Sequence, residues 1–290
     1  MKKNPLITIY MATFNRVELL KRAVNSVIAQ TYSNFELIVV DDCSSDETIE
    51  YLMAISKTDP RIRFYQNEKN SGACASRNKA IAEANGVFIT GLDDDDEFMP
   101  LHIEGLLAAF DEKYAFVACS LLENTGSCVI EHALDCGIIS LDSLLHYNKV
   151  GNQVFTLTSR LQRINGFDES FPAFQDYDTW ARLVCEFGQC KKIKQSTYVW
   201  HTGHEQERIS NNNNKRLIAL DLFINKHKRY MSKKHNQSMF IMKKKLEKGP
   251  FNFIDLILNV NKLNFKTALA TYININFYSL GARWRVYKRK

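Results

Sequence analysis

The strongest constraint on this chain is a strand–helix unit that repeats from residue 6 to residue 92. Leu6–Met11 alternates as a strand. Leu19, Leu20, Ala23, Val24, Val27 and Ile28 then recur at helical spacing. Asn15 stands three residues before Glu18, the form of a capping box. Phe35–Val40 is a short buried strand run ending at Asp41-Asp42, and Ser44 with Glu47 predicts the cap of a helix over roughly 46–55. Pro60 stops that helix and Ile62–Tyr65 supplies a third strand. A helix over 73–84 lies between Gly72 and Gly86, and Val87–Leu92 is a fourth strand. Such repetition implies an α/β domain: a mostly parallel sheet with helices on both faces. Ligands of these sheets bind outside the carboxyl ends of the strands. Both acidic clusters of the chain, Asp41-Asp42 and Asp93–Glu97, directly follow apolar strand runs.

Beyond Pro100 the pattern loosens. It predicts a helix over 101–110, a strand over 116–122, a variable stretch to Lys149, a strand near 154–157 and a helix near 178–186. The run Asn211–Asn214 reads as a loop and a boundary. It separates a domain over 1–214 from an extension over 215–290 with amphipathic helices near 217–223, 239–246, 253–258 and 263–280. Charge divides there too. The extension holds 18 Lys and Arg against three acids, whereas the residues before it hold 20 against 29. An acidic body with a basic, aromatic-bearing tail suits contact with an anionic inner membrane leaflet. No apolar run is long enough to span a bilayer, and no nucleic-acid recognition module accompanies the tail. The two lysines at the start precede no apolar signal core, and the seven cysteines are scattered without a CxxC pair. A cytoplasmic protein with reduced thiols, peripheral on the membrane, is expected.

Asp93-Asp94-Asp95-Asp96-Glu97 carries the most chemistry. Adjacent carboxylates repel one another unless a cation offsets them. Hard oxygen donors at a strand end suit Mg²⁺ or Mn²⁺ shared with substrate phosphates. In the Asp41-Asp42 cluster a carboxylate is placed to accept from a base or ribose.

Several segments together resemble glycosyltransferase family 2. They are Thr8–Arg16, Ser26–Tyr32, Phe35–Asp42, Asn70–Ala73 with Ser76-Arg77-Asn78, and Leu92–Asp96, whose Asp93 and Asp95 match the DxD motif. The resemblance resumes at Asn165–Arg182. It implies a GT-A fold, a nucleotide-sugar donor and an inverting, metal-dependent transfer. Thr13, Phe14, Asn15, Arg16, Asp41 and Asp42 would then surround the donor nucleotide. Arg77, Asp93, Asp94 and Arg208 would serve its ribose, diphosphate or sugar, and Asp95 with His201 or His204 would hold Mn²⁺ or Mg²⁺. In Phe174-Gln175-Asp176-Tyr177-Asp178, Gln175 replaces a glutamate common in the family. Asp176 keeps the position of the general base that takes the acceptor's proton, with Asp178 as its rival. No QxxRW motif is present, so one sugar per encounter is expected. The expected substrates are a UDP-hexose or UDP-N-acetylhexosamine and a lipid-diphosphate-linked saccharide of bacterial surface polysaccharide. A nucleotidyltransferase would want a glycine- and lysine-rich phosphate loop near the start, which Ala12–Arg16 is not. A non-catalytic sugar-nucleotide scaffold would be expected to lack the motif acids or the base, all of which this chain has.

Overall fold

The computed structural model describes residues 4–133, 135–203 and 212–277. The chain divides into two compact units. One comprises residues 1–141, 149–169 and 175–206; the other comprises 142–148, 170–174 and the residues from 207 onward.

The first unit opens with β1 (Ile7–Thr13), α1 (Val17–Ile28), β2 (Phe35–Asp41), α2 (Thr48–Thr58), β3 (Ile62–Gln66), α3 (Ala73–Ala82) and β4 (Phe88–Gly91). There follow β5 (Glu97–Phe98), α4 (His102–Ala109), β6 (Val117–Asn124), β7 (Val129–His132), β8 (Gly137–Ile139) and α5 (Leu141–Leu144), the last of which runs into the second unit. The first unit ends with β9 (Thr156–Leu157), α6 (Thr158–Arg163), α7 (Gln175–Phe187) and β10 (Cys190–His201). Its main sheet has the order β3-β2-β1-β4-β9, parallel except for β9. β1 and β2 are buried almost throughout. They therefore read as continuous apolar runs, as parallel strands covered on both faces do. Ile9, Met11, Leu37, Val39 and Phe88 pack with Leu20, Val24 and Leu52 of the covering helices.

The expected elements from 6 to 92 are present, with ends displaced by up to three residues. Two expected caps are not. Asn15 does not cap α1: its backbone is left-handed (φ 52°), and its Oδ1 accepts from Ser45 N at 2.7 Å. Ser44 does not cap α2, because its Oγ accepts from Asn15 N at 2.8 Å. The loops after β1 and β2 clasp each other instead. Asp46 serves both helix starts, accepting from Val17 N at 3.1 Å and Thr48 N at 3.2 Å.

A second sheet has the order β5-β10-β6-β7, with β8 on β10. The twelve-residue strand β10 was not foreseen. Its register on β6 shifts twice, between Lys192 and Ser196 and again between Ser196 and Tyr198. These irregularities erase the period-two pattern by which strands are recognised.

The second unit holds α8 (Asn213–His227), α9 (Lys233–Glu247), α10 (Phe253–Asn259) and α11 (Phe265–Asn276). Its helices lie at the four expected places, and α9 packs against the other three. Ile241, Phe251, Leu256 and Ala268 form its core. Elsewhere in this unit Asp142, His146 and His235 lie close together. His235 Nδ1 accepts from Ser232 N at 2.9 Å, which leaves the proton on Nε2 to donate to the Asp142 carbonyl at 2.9 Å. In that tautomer His235 has no lone pair for a metal. Among the described residues no helix is long and apolar enough to cross a membrane. All seven cysteines are free.

Candidate active site

In the strand order β3-β2-β1-β4, successive connections run one way from β1 and then return past it. The crevice of such a sheet therefore opens beyond the carboxyl ends of β1 and β4. Thr13 ends β1, and Asp93 follows β4 after Leu92. Several of the expected donor-side residues lie at this point, and Asp41, Asp42, Arg77, Asp93 and Asp94 are held there by specific bonds.

Asp93 Oδ1 accepts from Arg77 Nη2 and from Gln153 Nε2, both at 2.9 Å. Gln153 Oε1 in turn accepts from the buried Tyr10 hydroxyl at 2.7 Å. Gly91 makes this bridge possible. A Cβ at residue 91 would lie 2.2 Å from Gln153 Oε1 and 2.4 Å from the Tyr10 ring. Gln153 was not singled out in the sequence, since a lone glutamine ahead of Val154 carries no motif. Only the fold brings it to Asp93.

Arg16 Nη1 lies 3.2 Å from Asp94 Oδ1 and 3.5 Å from Asp95 Oδ2. Burial raises the Asp94 carboxyl to about 6; Arg16 opposes this and the neighbouring Asp95 adds to it. The Asp95 carbonyl accepts from Arg22. Asp96 is buried and accepts from the Tyr198 hydroxyl at 2.8 Å and from His201 N at 2.9 Å. Its carboxyl is pushed well above the ordinary range by burial and by the charges of Asp95 and Asp93. Through Asp96, β10 is tied to the acidic loop. The His201 imidazole ends there with Nε2 2.7 Å from Glu97 Oε1. Burial and the nearby Arg22 lower its pKa, against the pull of Glu97, so the ring is neutral at pH 7.

On the β2 side the buried Asp41 accepts from Ser44 N at 3.0 Å and Gln66 Nε2 at 3.2 Å. Asp42 anchors the loop ahead of α3. Its Oδ1 accepts from Asn67 Nδ2 and Ser71 N at 2.8 Å each, and its Oδ2 from Gly72 N at 2.7 Å. Phe14, directly after β1, is 41% exposed. Arg208 and His204 lie outside the described residues.

Asp176 and Asp178 open α7 two residues apart and meet different surroundings. Asp178 is fully buried and accepts from Arg182 Nε at 2.7 Å. Arg182 also donates to the carbonyls of Ile164 and Gly166 at 2.7 Å each, so this pair fixes the Asn165–Glu169 turn. Asp176 retains some exposure. Burial is the main cause that raises its carboxyl to about 6, with Tyr177 N–H and Arg77 opposing and Asp93 adding. Asp176 is thus electrostatically coupled to the pair Arg77–Asp93. Asn78, the neighbour of Arg77 on α3, clamps the same turn: its amide donates to Phe167 O at 2.9 Å and accepts from Phe167 N at 2.7 Å.

The fold is that of a GT-A glycosyltransferase. The family model for glycosyl transferase family 2 matches residues 8–157, and the chain belongs to that family. It is similar to the putative colanic acid biosynthesis glycosyl transferase WcaA of Escherichia coli K12. The two are 39% identical over 238 residues, which cover 79% of this chain and 83% of the relative. The GalNAc(5)-diNAcBac-PP-undecaprenol beta-1,3-glucosyltransferase of Campylobacter jejuni is 35% identical over 128 residues, 44% of this chain and 39% of the relative. Among solved structures, S. aureus TarS 1-349 in complex with UDP-GlcNAc shares the fold. Its TM-score is 0.67 at 17% identity, over 93% of this chain and 81% of that one.

Proposed function

We propose that this protein transfers a hexose or N-acetylhexosamine from a UDP-sugar, with inversion, to a lipid-diphosphate-linked saccharide during assembly of a bacterial surface polysaccharide. The observation that carries the reading is the Arg77–Asp93 ion pair, 2.9 Å long, at the crevice where a GT-A sheet takes its donor. Two relatives support the acceptor and pathway, one named for colanic acid and one for an undecaprenyl-diphosphate substrate. The uridine donor follows from the TarS complex.

Thr13, Phe14, Asn15 and Asp41 receive the nucleoside, with Asp42 holding the Ser71-Gly72 loop beside it. Arg16, Arg77, Asp93 and Asp94, with Arg208, attend the ribose, diphosphate and donor sugar. The Asp176 carboxylate takes the proton of the acceptor hydroxyl as that oxygen attacks the anomeric carbon. The bond from that carbon to the diphosphate breaks with the electron pair leaving on UDP. A single displacement converts an α-linked donor to a β-linked product.

The acidic loop fits a divalent cation. The charges of Asp93 and Asp95 help raise the carboxyls of Asp94 and Asp96, and the donors are hard oxygens beside a neutral imidazole. Asp95 and His201 would hold Mn²⁺ or Mg²⁺, which supplies positive charge to the departing diphosphate. The enzyme is cytoplasmic and peripheral on the inner membrane face, and it releases its product after each sugar.

The test is transfer from a panel of UDP- and GDP-sugars, with Mn²⁺, to a GlcNAc-diphosphate-lipid analogue. Metal-dependent turnover from one donor, lost in Asp95→Ala and in Asp176→Asn, supports the reading. Failure of every donor to bind or turn over refutes it.

A further inference from the structure

Half of the exposed large apolar side chains among the described residues, eight of sixteen, lie between Phe253 and Phe277. On α10, Phe253, Ile254, Ile257 and Leu258 are 57–67% exposed, and their spacing puts them on one helical face. Only Leu256 of that helix turns into the core. Leu263, Phe265 and Leu269 continue the exposed surface over the turn and along α11. A helix that meets water alone carries polar residues on its outer face; this one carries its largest apolar side chains there.

The hairpin is built rather than frayed. Asn252 caps α10 by accepting from Asp255 N at 2.8 Å, and Asp255 faces back to Asn252 N. The turn satisfies its own backbone: Asn264 Nδ2 donates to Asn259 O at 2.9 Å, and Gln237 Nε2 to Leu258 O at 2.8 Å. Carbonyls bonded internally enter an apolar medium without the loss that unpaired groups suffer.

Its charge selects the partner. Lys262 and Lys266 are exposed at the turn and the start of α11. Asn261 Nδ2 bonds Lys234 O at 3.1 Å, which brings the exposed Lys233 and Lys234 beside the tip. Asp255, engaged by Asn252, is the sole acid from Lys248 to Phe277. An apolar ridge with a lysine rim, and no spanning helix among the described residues, matches the interface of an anionic bilayer.

We infer that the α10–α11 hairpin docks the protein on an anionic lipid surface by seating Phe253, Ile254, Ile257, Leu258, Leu263 and Phe265 among the headgroups. This gives the lipid-linked acceptor proposed above its physical setting, and it rests on that reading only for its purpose.

The test is co-sedimentation of the full chain with phosphatidylcholine vesicles, with and without about 30 mol% phosphatidylglycerol. The wild type is expected to partition onto the anionic vesicles alone, less at high salt. The double substitution Ile257→Glu/Leu258→Glu should weaken partition about tenfold or more. The double substitution Lys262→Glu/Lys266→Glu should weaken it and flatten its salt dependence. A Leu258→Trp chain should show quenching by acyl-brominated lipid. All variants should melt as the wild type does and act at its rate on a water-soluble acceptor, a readout that separates docking from chemistry. Equal partition of the Ile257→Glu/Leu258→Glu chain overturns the inference. So does conversion of a dimer to a monomer by that variant with vesicle binding unchanged, which would assign the face to a second copy. Binding that appears only after removal of residues 278–290 would assign the face to the chain's own terminus.

Discussion

Replacing Asp176 and Asp178 one at a time separates chemistry from architecture within a single helical turn. Asp176→Asn is expected to lower kcat about 10²- to 10⁴-fold with donor KM nearly unchanged, because the proposed base is lost and its surroundings are not. Asp178→Asn removes the buried partner of Arg182. It should cost about 3–5 kcal/mol in denaturant unfolding while donor binding survives at low temperature. The proposed base would accept a proton only as carboxylate, so the wild-type rate should rise with pH, reach half its plateau near pH 6 and stay level above it. A flat profile from pH 5 to 8 would remove Asp176 from that role. Gln153 acts through Asp93 as a positioning residue. Gln153→Leu keeps the volume and breaks the bridge to Tyr10, so donor KM should rise about tenfold with kcat retained and the melting temperature lowered only slightly.

At the scale of elements, the acidic loop is tied to its surroundings at Asp93, Asp95 and Asp96. Gly91→Ala places a carbon where Gln153 and Tyr10 already meet, and should cost about 1–3 kcal/mol in stability along with donor affinity. A thermal melt together with donor titration checks both. The parallel half of the fold was legible in the sequence because buried strands and their helices leave apolar runs that no loop imitates. DxD, Asp176 and Arg77 were legible through the resemblance of their motifs. Three things were not. β10 hid behind lysines and two register shifts, although Thr197–Trp200 is rich in strand formers. Asn15 and Ser44 bear the side chains of caps, yet they serve a loop-to-loop clasp whose partner lies about thirty residues away. Gln153 reached Asp93 only through β-sheet assembly, for which sequence spacing gives no sign.

For the whole molecule, the carboxylates of the site weigh on stability. The folded-state pKa of Asp94 is raised from 3.8 to about 6, so the native state holds that proton more tightly than the unfolded chain. Between about pH 4 and pH 6 this group therefore withdraws stability as pH rises, and the loss is complete above pH 6. In metal-free buffer at pH 7.5, Asp94→Asn should be more stable than wild type by about 2–3 kcal/mol at most, a gap that closes near pH 4. Urea unfolding at the two pH values measures it; a gap that widens on acidification would reverse the assignment. The tie between Asp96 and β10 has a further consequence, one of order in time. The two donors that satisfy the Asp96 carboxylate, Tyr198 and His201, are made more than a hundred residues after it. A nascent chain that has completed β1 to β4 thus carries its acidic turn unclosed until β10 leaves the ribosome. The acidic turn is the last part of this unit to close, although it is translated in the first third of the chain.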